Sequence, residues 1–199
     1  MSIYIHEGTK TFHLSGFGLS YVMQVLEGGV LSQVYTGPAI HDREDFSYLV
    51  EGAHRSHTSY PQGDTHGYSL ELLRQEYPSF GTGDLRQGAV SALQTNGSRA
   101  LSLQYVGYEV RKGKPSLPGL PSTYVEEEDE AETLIIHLHD AAASLSVYLS
   151  YSLFAAYPAI ARSVRFVNEG KESLYLDRAF SFCLDLPDAD YEMMQLSGS

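Results

Sequence analysis

The sequence predicts an all-β domain in which antiparallel strands form a sandwich. Wherever the chain is regular, apolar and polar residues alternate with a period of two, and turn-forming residues separate these segments. No window of about a dozen residues keeps an apolar stripe with the 3.6-residue period of a helix. Many short alternating strands joined by turns are typical of an antiparallel sandwich, so we expect little helix beyond single turns.

Three segments carry the alternation most clearly. In residues 134–138 and 145–149, every second side chain is an apolar leucine, isoleucine or valine. In residues 174–186, apolar side chains alternate with Ser181, Cys183 and Asp185, which predicts one strand with a buried face. The core positions predicted on that strand are Phe180, Phe182, Leu184 and Leu186.

Glycine and asparagine mark the predicted turns. Residues 27–29, 95–98 and 168–171 each lie between two predicted strands, as in a hairpin or tight turn. Two longer irregular stretches remain, roughly residues 37–67 and 112–132, and loops of that length are usually functional or interfacial.

Composition limits the class of protein. A chain of 199 residues with 43% hydrophobic and 19% charged residues predicts a globular protein of one domain or two small ones. Its formal net charge of −12 argues against nucleic acid and against an anionic membrane surface, both of which attract clustered Lys and Arg. The one cysteine, Cys183, cannot form an internal disulfide, and the first residues show neither a basic region nor an apolar leader core. We therefore expect a cytoplasmic protein without a membrane span.

Residues 74–86 combine turn formers with a fixed charge pattern. Pro78 removes a backbone donor and Gly81 permits positive φ, so this block is expected to be an ordered loop. Such a loop needs partners for its backbone groups, and Asp84 and Arg86 are placed to brace it as a charge-assisted pair.

Candidate chemistry outside this block rests on histidines and carboxylates. His137 and His139 share one face of a predicted strand and could begin a metal site, as could His54 and His57 in the first long loop. Zinc sites usually recruit three or four ligands, so neither pair is sufficient alone. A small metal-dependent enzyme remains one alternative. The many carboxylates show no spacing that separates a glycosidase pair from a charged surface.

The block at 74–86 resembles the amino-terminal domain of bacterial α-galactosidases of glycoside hydrolase family 36. The matching residues are Gln75, Glu76, Tyr77, Pro78, Phe80, Gly81, Asp84 and Arg86. Residues 68–71, 108–115, 119–126, 160–166 and 186–191 are similar to further segments of that family, in the same order.

The resemblance implies an antiparallel β-supersandwich spanning residues 1–199 and preceding a (β/α)8 barrel that is absent from this sequence. It implies an enzyme that hydrolyses terminal α-galactosides such as melibiose and raffinose with retention, using two aspartates of the barrel and no metal or cofactor. No catalytic residue is then expected in this chain. Its partners would be its own barrel, an α-galactoside oligosaccharide and further copies of itself. A stand-alone carbohydrate-binding β-sandwich remains the second alternative.

One loop of the family's amino-terminal domain reaches the sugar pocket through an Asp-Arg-x-Phe-Ser motif. Counting back from Gln75 places residues 54–58 at this motif, where Arg55 matches. His54 replaces the aspartate and His57 the phenylalanine. Since a histidine can donate to or accept from a sugar hydroxyl, the resemblance implies His54 and Arg55 as substrate-binding residues.

Overall fold

The computed structural model describes residues 1–51, 69–81 and 84–195. Within these ranges, ten β-strands and three single turns of 3₁₀ helix account for all regular structure, as the alternation predicts. No helix in the described part of the chain is long and apolar enough to cross a membrane. The strands are β1 Ser2–His6, β2 Thr11–Gly16, β3 Leu19–Val25, β4 Leu31–Pro38, β5 Val90–Leu93, β6 Gln104–Lys112, β7 Ala131–Asp140, β8 Leu145–Phe154, β9 Ile160–Asn168 and β10 Tyr175–Ala179.

Two four-stranded antiparallel meanders form the layers of a sandwich. One has the order β1-β2-β3-β4 and the other the order β6-β7-β8-β9, while β5 and β10 pair as a separate two-stranded ribbon. Side chains of β2, β3, β7 and β8 belong to one buried apolar cluster, so the inner faces of the two meanders pack against each other. The predicted antiparallel sandwich is therefore confirmed.

The clearest alternating segments are strands of this core, as predicted. In β7, Leu134, Ile136 and Leu138 are buried, and the residues between them are partly exposed. In β8, the inward positions from Leu145 to Leu153 are all buried. Burial of alternate residues fixes the register, because a slip by one residue would turn each apolar side chain outward.

The predicted turns are present, but only the first joins paired strands. Gly28 and Gly29, with φ of 82° and 78°, lie in the 3₁₀ turn between β3 and β4. At the second turn, the amide of Gly97 donates to the carbonyl of Gln94 at 2.9 Å. The chain then leaves β5 for β6 in another sheet, and after the turn at Asn168 it leaves β9 for β10. The two later turns are therefore tight turns and not hairpins.

The predicted strand over residues 174–186 is wrong beyond Ala179. Its partner β5 has only four residues, and the last backbone bond of this ribbon joins the amide of Phe180 to the carbonyl of Ala89 at 2.9 Å. Past that point the apolar residues face outward while Cys183 packs against the core, the reverse of the prediction. The exposed fractions are 45% for Phe180, 53% for Phe182, 37% for Leu184 and 43% for Leu186.

Candidate functional site

The loop at residues 75–86 is braced by its own charged pair, as the sequence predicts. Arg86 donates from Nε to Asp84 Oδ1 at 2.9 Å and from Nη2 to Asp84 Oδ2 at 2.8 Å. Its Nη2 also donates to the carbonyl of Leu73 at 2.7 Å, and Gln75 Nε2 donates to Asp84 Oδ2 at 2.8 Å. Gly81 has φ of 98°, and a side chain there would meet Ala100 Cα at 2.6 Å. The described residues of this block therefore form a loop that is braced by its own hydrogen bonds.

This loop places Glu76 in the centre of the sandwich. The side chain is fully buried, and Arg162 Nη1 lies 2.7 Å from Glu76 Oε1. Tyr21 donates to Oε2 at 2.6 Å and Tyr151 donates to Oε1 at 2.8 Å. We call these four residues the Glu76 cluster. Since Tyr21 belongs to β3, Tyr151 to β8 and Arg162 to β9, the cluster joins both meanders to the loop.

Burial dominates the electrostatics of this cluster. It raises the pKa of the Glu76 carboxyl, and Arg162 and the two phenols offset only part of that effect. It also raises the pKa of Tyr21 and Tyr151, with the charge of Glu76 acting in the same direction. Both phenols therefore stay protonated and act as donors. The guanidinium of Arg162 lies 4.3 Å from the centre of the Tyr151 ring, which adds a cation–π contact.

The buried carboxylates of the described ranges are all occupied by donors from the chain itself. Glu76 and Asp84 are engaged as above, and Asp140 accepts from the amides of Ser102 and Ala143. Retaining glycosidases need two carboxyl groups about 5 Å apart that face the sugar. None of these three faces open space in a pair of that kind, so they serve the fold.

His137 and His139 share one face of β7, as predicted, but they contact the same serine. His137 Nε2 and His139 Nδ1 lie 2.9 Å and 3.1 Å from Ser146 Oγ, which donates to Glu169 Oε1 at 2.9 Å. The His137 ring also stacks on Tyr148, with centroids 4.5 Å apart. The described residues contain no group of three or more His, Cys, Asp or Glu that could hold a metal. The pair therefore belongs to a hydrogen-bonded network of the sheet surface.

A second network ties the start of the first long loop to the amino-terminal sheet. Asp42 Oδ1 lies 2.8 Å from His13 Nδ1, and Asp42 Oδ2 lies 3.0 Å from His6 Nε2. His13 Nε2 lies 2.8 Å from Ser20 Oγ, which accepts from the amide of Ile40 at 3.0 Å. This order resembles a nucleophilic triad, but Ser20 and His13 are fully buried and cannot meet a substrate. Burial raises the pKa of Asp42, and the hydrogen bonds to the two histidines outweigh it, so that the pKa is lowered.

The residues predicted to bind substrate, His54 and Arg55, lie outside the described residues, as does His57. The described chain flanks them on both sides. Glu51, just before that segment, forms an ion pair with Arg74, whose Nη2 lies 2.7 Å from Glu51 Oε1.

An open groove adjoins the Glu76 cluster at one edge of the sandwich. It has a volume of about 370 Å³, and Tyr21 and Arg162 form its polar end. Its apolar walls are Leu19, Ile160, Phe182 and Leu184. Residues 181–184 of the exposed segment after β10 therefore form one side of a groove that also reaches Tyr21 and Arg162 of the Glu76 cluster.

The Glu76 cluster was not predicted as a unit from the sequence, although one feature indicates it. Arg162 occupies an inward position of β9, between Ile160 and Val164, where the alternation calls for an apolar side chain. A charge at a core-facing position needs a buried partner. Glu76 lies in a loop distant in sequence, so the pattern of β9 alone could not identify that partner.

Comparison with protein families and known proteins gives a consistent result. Residues 29–199 match the family model described as the glycosyl hydrolase family 36 N-terminal domain. The chain is 42% identical to α-galactosidase AgaA of Geobacillus stearothermophilus, over 100% of this chain and 27% of that protein. It thus spans about a quarter of the length of this relative.

Solved structures agree in fold. The α-galactosidase of Lactobacillus brevis is similar with a TM-score of 0.89 and 37% identity, over 95% of this chain and 25% of that one. A variant of AgaA in complex with raffinose is similar with a TM-score of 0.85 and 43% identity, over 92% of this chain and 25% of that one.

Proposed function

The chain belongs to glycosyl hydrolase family 36, and from this membership we propose that it is the non-catalytic amino-terminal domain of an α-galactosidase. The parent enzyme hydrolyses terminal α-galactosides such as melibiose and raffinose with retention. The observation that carries the proposal is the match of the whole chain to one quarter of an α-galactosidase. Because this relative extends far beyond the matched region, that similarity favours a domain of a larger enzyme over a stand-alone binding module.

Catalysis is assigned to the remainder of the parent, a (β/α)8 barrel. A two-step displacement requires a nucleophile and an acid/base on two facing carboxyl groups, and the buried carboxylates described above are engaged elsewhere. The purified chain of residues 1–199 should not hydrolyse an aryl α-galactoside, whereas the chain extended by its downstream coding sequence should. Turnover by residues 1–199 that co-elutes with the protein through two chromatographic steps would contradict the proposal.

The domain contacts the barrel through the apolar segment after β10, residues 180–184. Phe180, Phe182 and Leu184 alternate as in a buried strand, yet they are exposed in this chain. Apolar patches of this kind mark contact surfaces. When the two parts of the parent are produced as separate chains, they should co-purify, and Phe182→Asp should abolish this. Leu85→Asp, at a residue 91% exposed, is the matched control and should leave co-purification intact.

His54 and Arg55 are proposed to contact the α-galactoside and so to shape the pocket. A hydrogen bond to a sugar hydroxyl contributes about 0.5–1.5 kcal/mol when neutral and about 1.5–3 kcal/mol when charged. His54→Ala or Arg55→Ala in the full-length enzyme should therefore lower kcat/KM on melibiose about threefold to a hundredfold. Melting temperature and particle size should not change. Unchanged kinetics in both variants together with a dissociated assembly would assign these residues to a subunit interface.

We further propose that the parent is a cytoplasmic homo-oligomer. Cys183 has no second cysteine in the chain, and burial raises the pKa of its thiol, so the thiol stays protonated and unreactive, as suits a reducing compartment. Light scattering on the full-length enzyme measures its molar mass in solution, and the mass of a monomer would contradict the proposed homo-oligomer.

A further inference from the structure

Two adjoining cavities lie on the side of the β6–β9 sheet away from the core. The smaller runs along the outer face of the sheet, and the larger lies at its end, where the segment before β7 meets the turn between β8 and β9. The proline-rich segment after β6 lines the smaller one, and Thr123 at its end lines both. We call the larger one, of about 630 Å³, the tyrosine cleft. It is lined by Tyr124, Glu126, Asp129, Glu130 and Tyr157. We call the smaller one, of about 380 Å³, the serine trough. It is lined by Lys114, Ser122, Ser150, Ser163 and Arg165.

The tyrosine cleft offers two free aromatic side chains. Tyr124 is 77% exposed and Tyr157 is 66% exposed. Within the described ranges neither ring contacts another ring or a cation. By contrast, Tyr148 in the trough is covered by His137 at 4.5 Å and by Arg165 at 3.9 Å, from the two neighbouring strands. The stacking surface of the two cavities is therefore concentrated in the cleft.

Both walls of the cleft are held by hydrogen bonds of the chain itself. The amide of Glu126 donates to Glu130 Oε2 at 2.9 Å, and the amide of Ala155 donates to the carbonyl of Glu130 at 2.9 Å. On the loop between β8 and β9, the amide of Ala159 donates to the carbonyl of Tyr157 at 2.8 Å. A cleft ordered in this way loses less conformational entropy when a ligand binds.

The two cavities carry opposite net charge, because Glu109, which also lines the trough, is paired with Arg111 there. Glu126 and Asp129 supply acceptors in the cleft, whereas Lys114 and Arg165 supply donors in the trough, together with serine hydroxyls. A ligand that spans both cavities would be repelled in the cleft if it were an anion and in the trough if it were a cation. A neutral ligand with many hydroxyl groups meets acceptors in the cleft, donors in the trough and aromatic surfaces for its apolar faces.

We propose that the tyrosine cleft and the serine trough form a non-catalytic binding site for a short neutral oligosaccharide. The choice of an α-galactoside as the ligand rests on the proposed function. Raffinose is therefore the oligosaccharide used to test for binding. The trough lies on the outer face of the sheet and the cleft at its end, whereas the carboxylate of the Glu76 cluster is buried between the two sheets. Arg162 lines both the trough and the groove beside that cluster.

The test is saturation-transfer NMR and titration of residues 1–199 with raffinose, with a cooperative thermal transition as evidence that each protein is folded. Raffinose should bind, and Tyr124→Ala or Tyr157→Ala should each raise the dissociation constant about three- to tenfold, as the loss of one aromatic contact does. Tyr175→Ala, at a residue 67% exposed that lines neither cavity, is the matched control and should bind as the parent sequence does.

Two results on residues 1–199 would overturn this inference without touching the assignment to an α-galactosidase. One is the absence of saturation transfer from the folded chain. The other is unchanged binding after both tyrosines are replaced. In the full-length enzyme, the double variant should keep kcat and KM on an aryl α-galactoside. A large loss of kcat there would make the cleft part of the catalytic pocket, which also contradicts a separate site.

Discussion

Removing the charge of Glu76 is the sharpest test of how this domain is held together. Glu76→Gln keeps the size of the side chain but leaves the Arg162 guanidinium without its anionic partner, whose Oε1 lies 2.7 Å away. The new amide also directs a donor group toward the hydroxyls of Tyr21 and Tyr151, which now donate to the carboxylate.

The expected cost follows from burial. Glu76 is fully buried and the Arg162 side chain is only 12% exposed, so solvent screens the remaining charge poorly. Removing one partner of a buried ion pair costs about 3–5 kcal/mol. A domain's unfolding free energy is about 5–15 kcal/mol, so a loss of about 3–5 kcal/mol is at least about a fifth of it. Replacing both charges, as in Glu76→Gln with Arg162→Met, should cost less than the sum of the single variants, because no buried charge is left alone.

Urea denaturation followed by circular dichroism measures these free energies. Arg111→Met removes a pair of the same chemistry on the surface, with Glu109 at 2.6 Å, and should leave stability unchanged within error. A loss below about 1 kcal/mol for Glu76→Gln would refute the reasoning, since typical buried pairs cost more. Additive losses in the double variant would equally show that the two charges do not stabilise each other.

Three further outcomes can be checked on residues 1–199 by the same denaturation assay. Arg86→Ala should cost about 1 kcal/mol, because Asp84 keeps its bonds to amide groups, and an unchanged midpoint would mean that the loop is braced otherwise. Asp42→Asn should flatten the loss of stability on acidification. The pKa of Asp42 is lower in the folded state, so the native protein binds a proton at this carboxyl less readily than the unfolded chain does. The stability that the ionised Asp42 provides is therefore fully present above a pH of about 4, and it is lost as the pH falls through the pKa of the folded state. An equally steep acid transition in the variant would exclude this linkage. Ile136→Ala should cost about 2–5 kcal/mol, whereas Phe182→Ala should cost below about 1 kcal/mol because Phe182 is 53% exposed, and equal losses would place both in the core.

The sequence predicted the strands of the core because local pattern and global packing agree there. In β7 and β8, each strand has two neighbours and one buried face, so the period of two translates directly into burial. The carboxy-terminal segment shows the same period, but its partner strand β5 is only four residues long and the ladder ends at Ala179. Alternating apolar and polar residues indicate that one face of a strand is covered. The covering surface can belong to the same domain or to another one.

The site was less predictable than the fold. Asp84 and Arg86 lie two residues apart, so their contact follows from local geometry and was predicted. The contacts of Glu76 join residues far apart in sequence, and no local pattern specifies such a set. The prediction that residues 54 and 55 bind sugar rests on a motif match. Arg55 keeps the arginine of that motif, whereas His54 replaces its aspartate.

The ribbon of β5 and β10 sets the order in which this domain can be completed. Each meander is built from strands adjacent in sequence, and all its connections are short except the one between β6 and β7, so most of its hairpins can close soon after synthesis. Val90 pairs with Ala179, on the far side of an entire meander, and this closure carries a much larger entropic cost. During translation the edge of β5 that pairs with β10 must therefore stay open until residues 175–179 have left the ribosome. We expect the ribbon to form late in folding, and the chain to be most prone to aggregation in the interval when β5 is still an open edge.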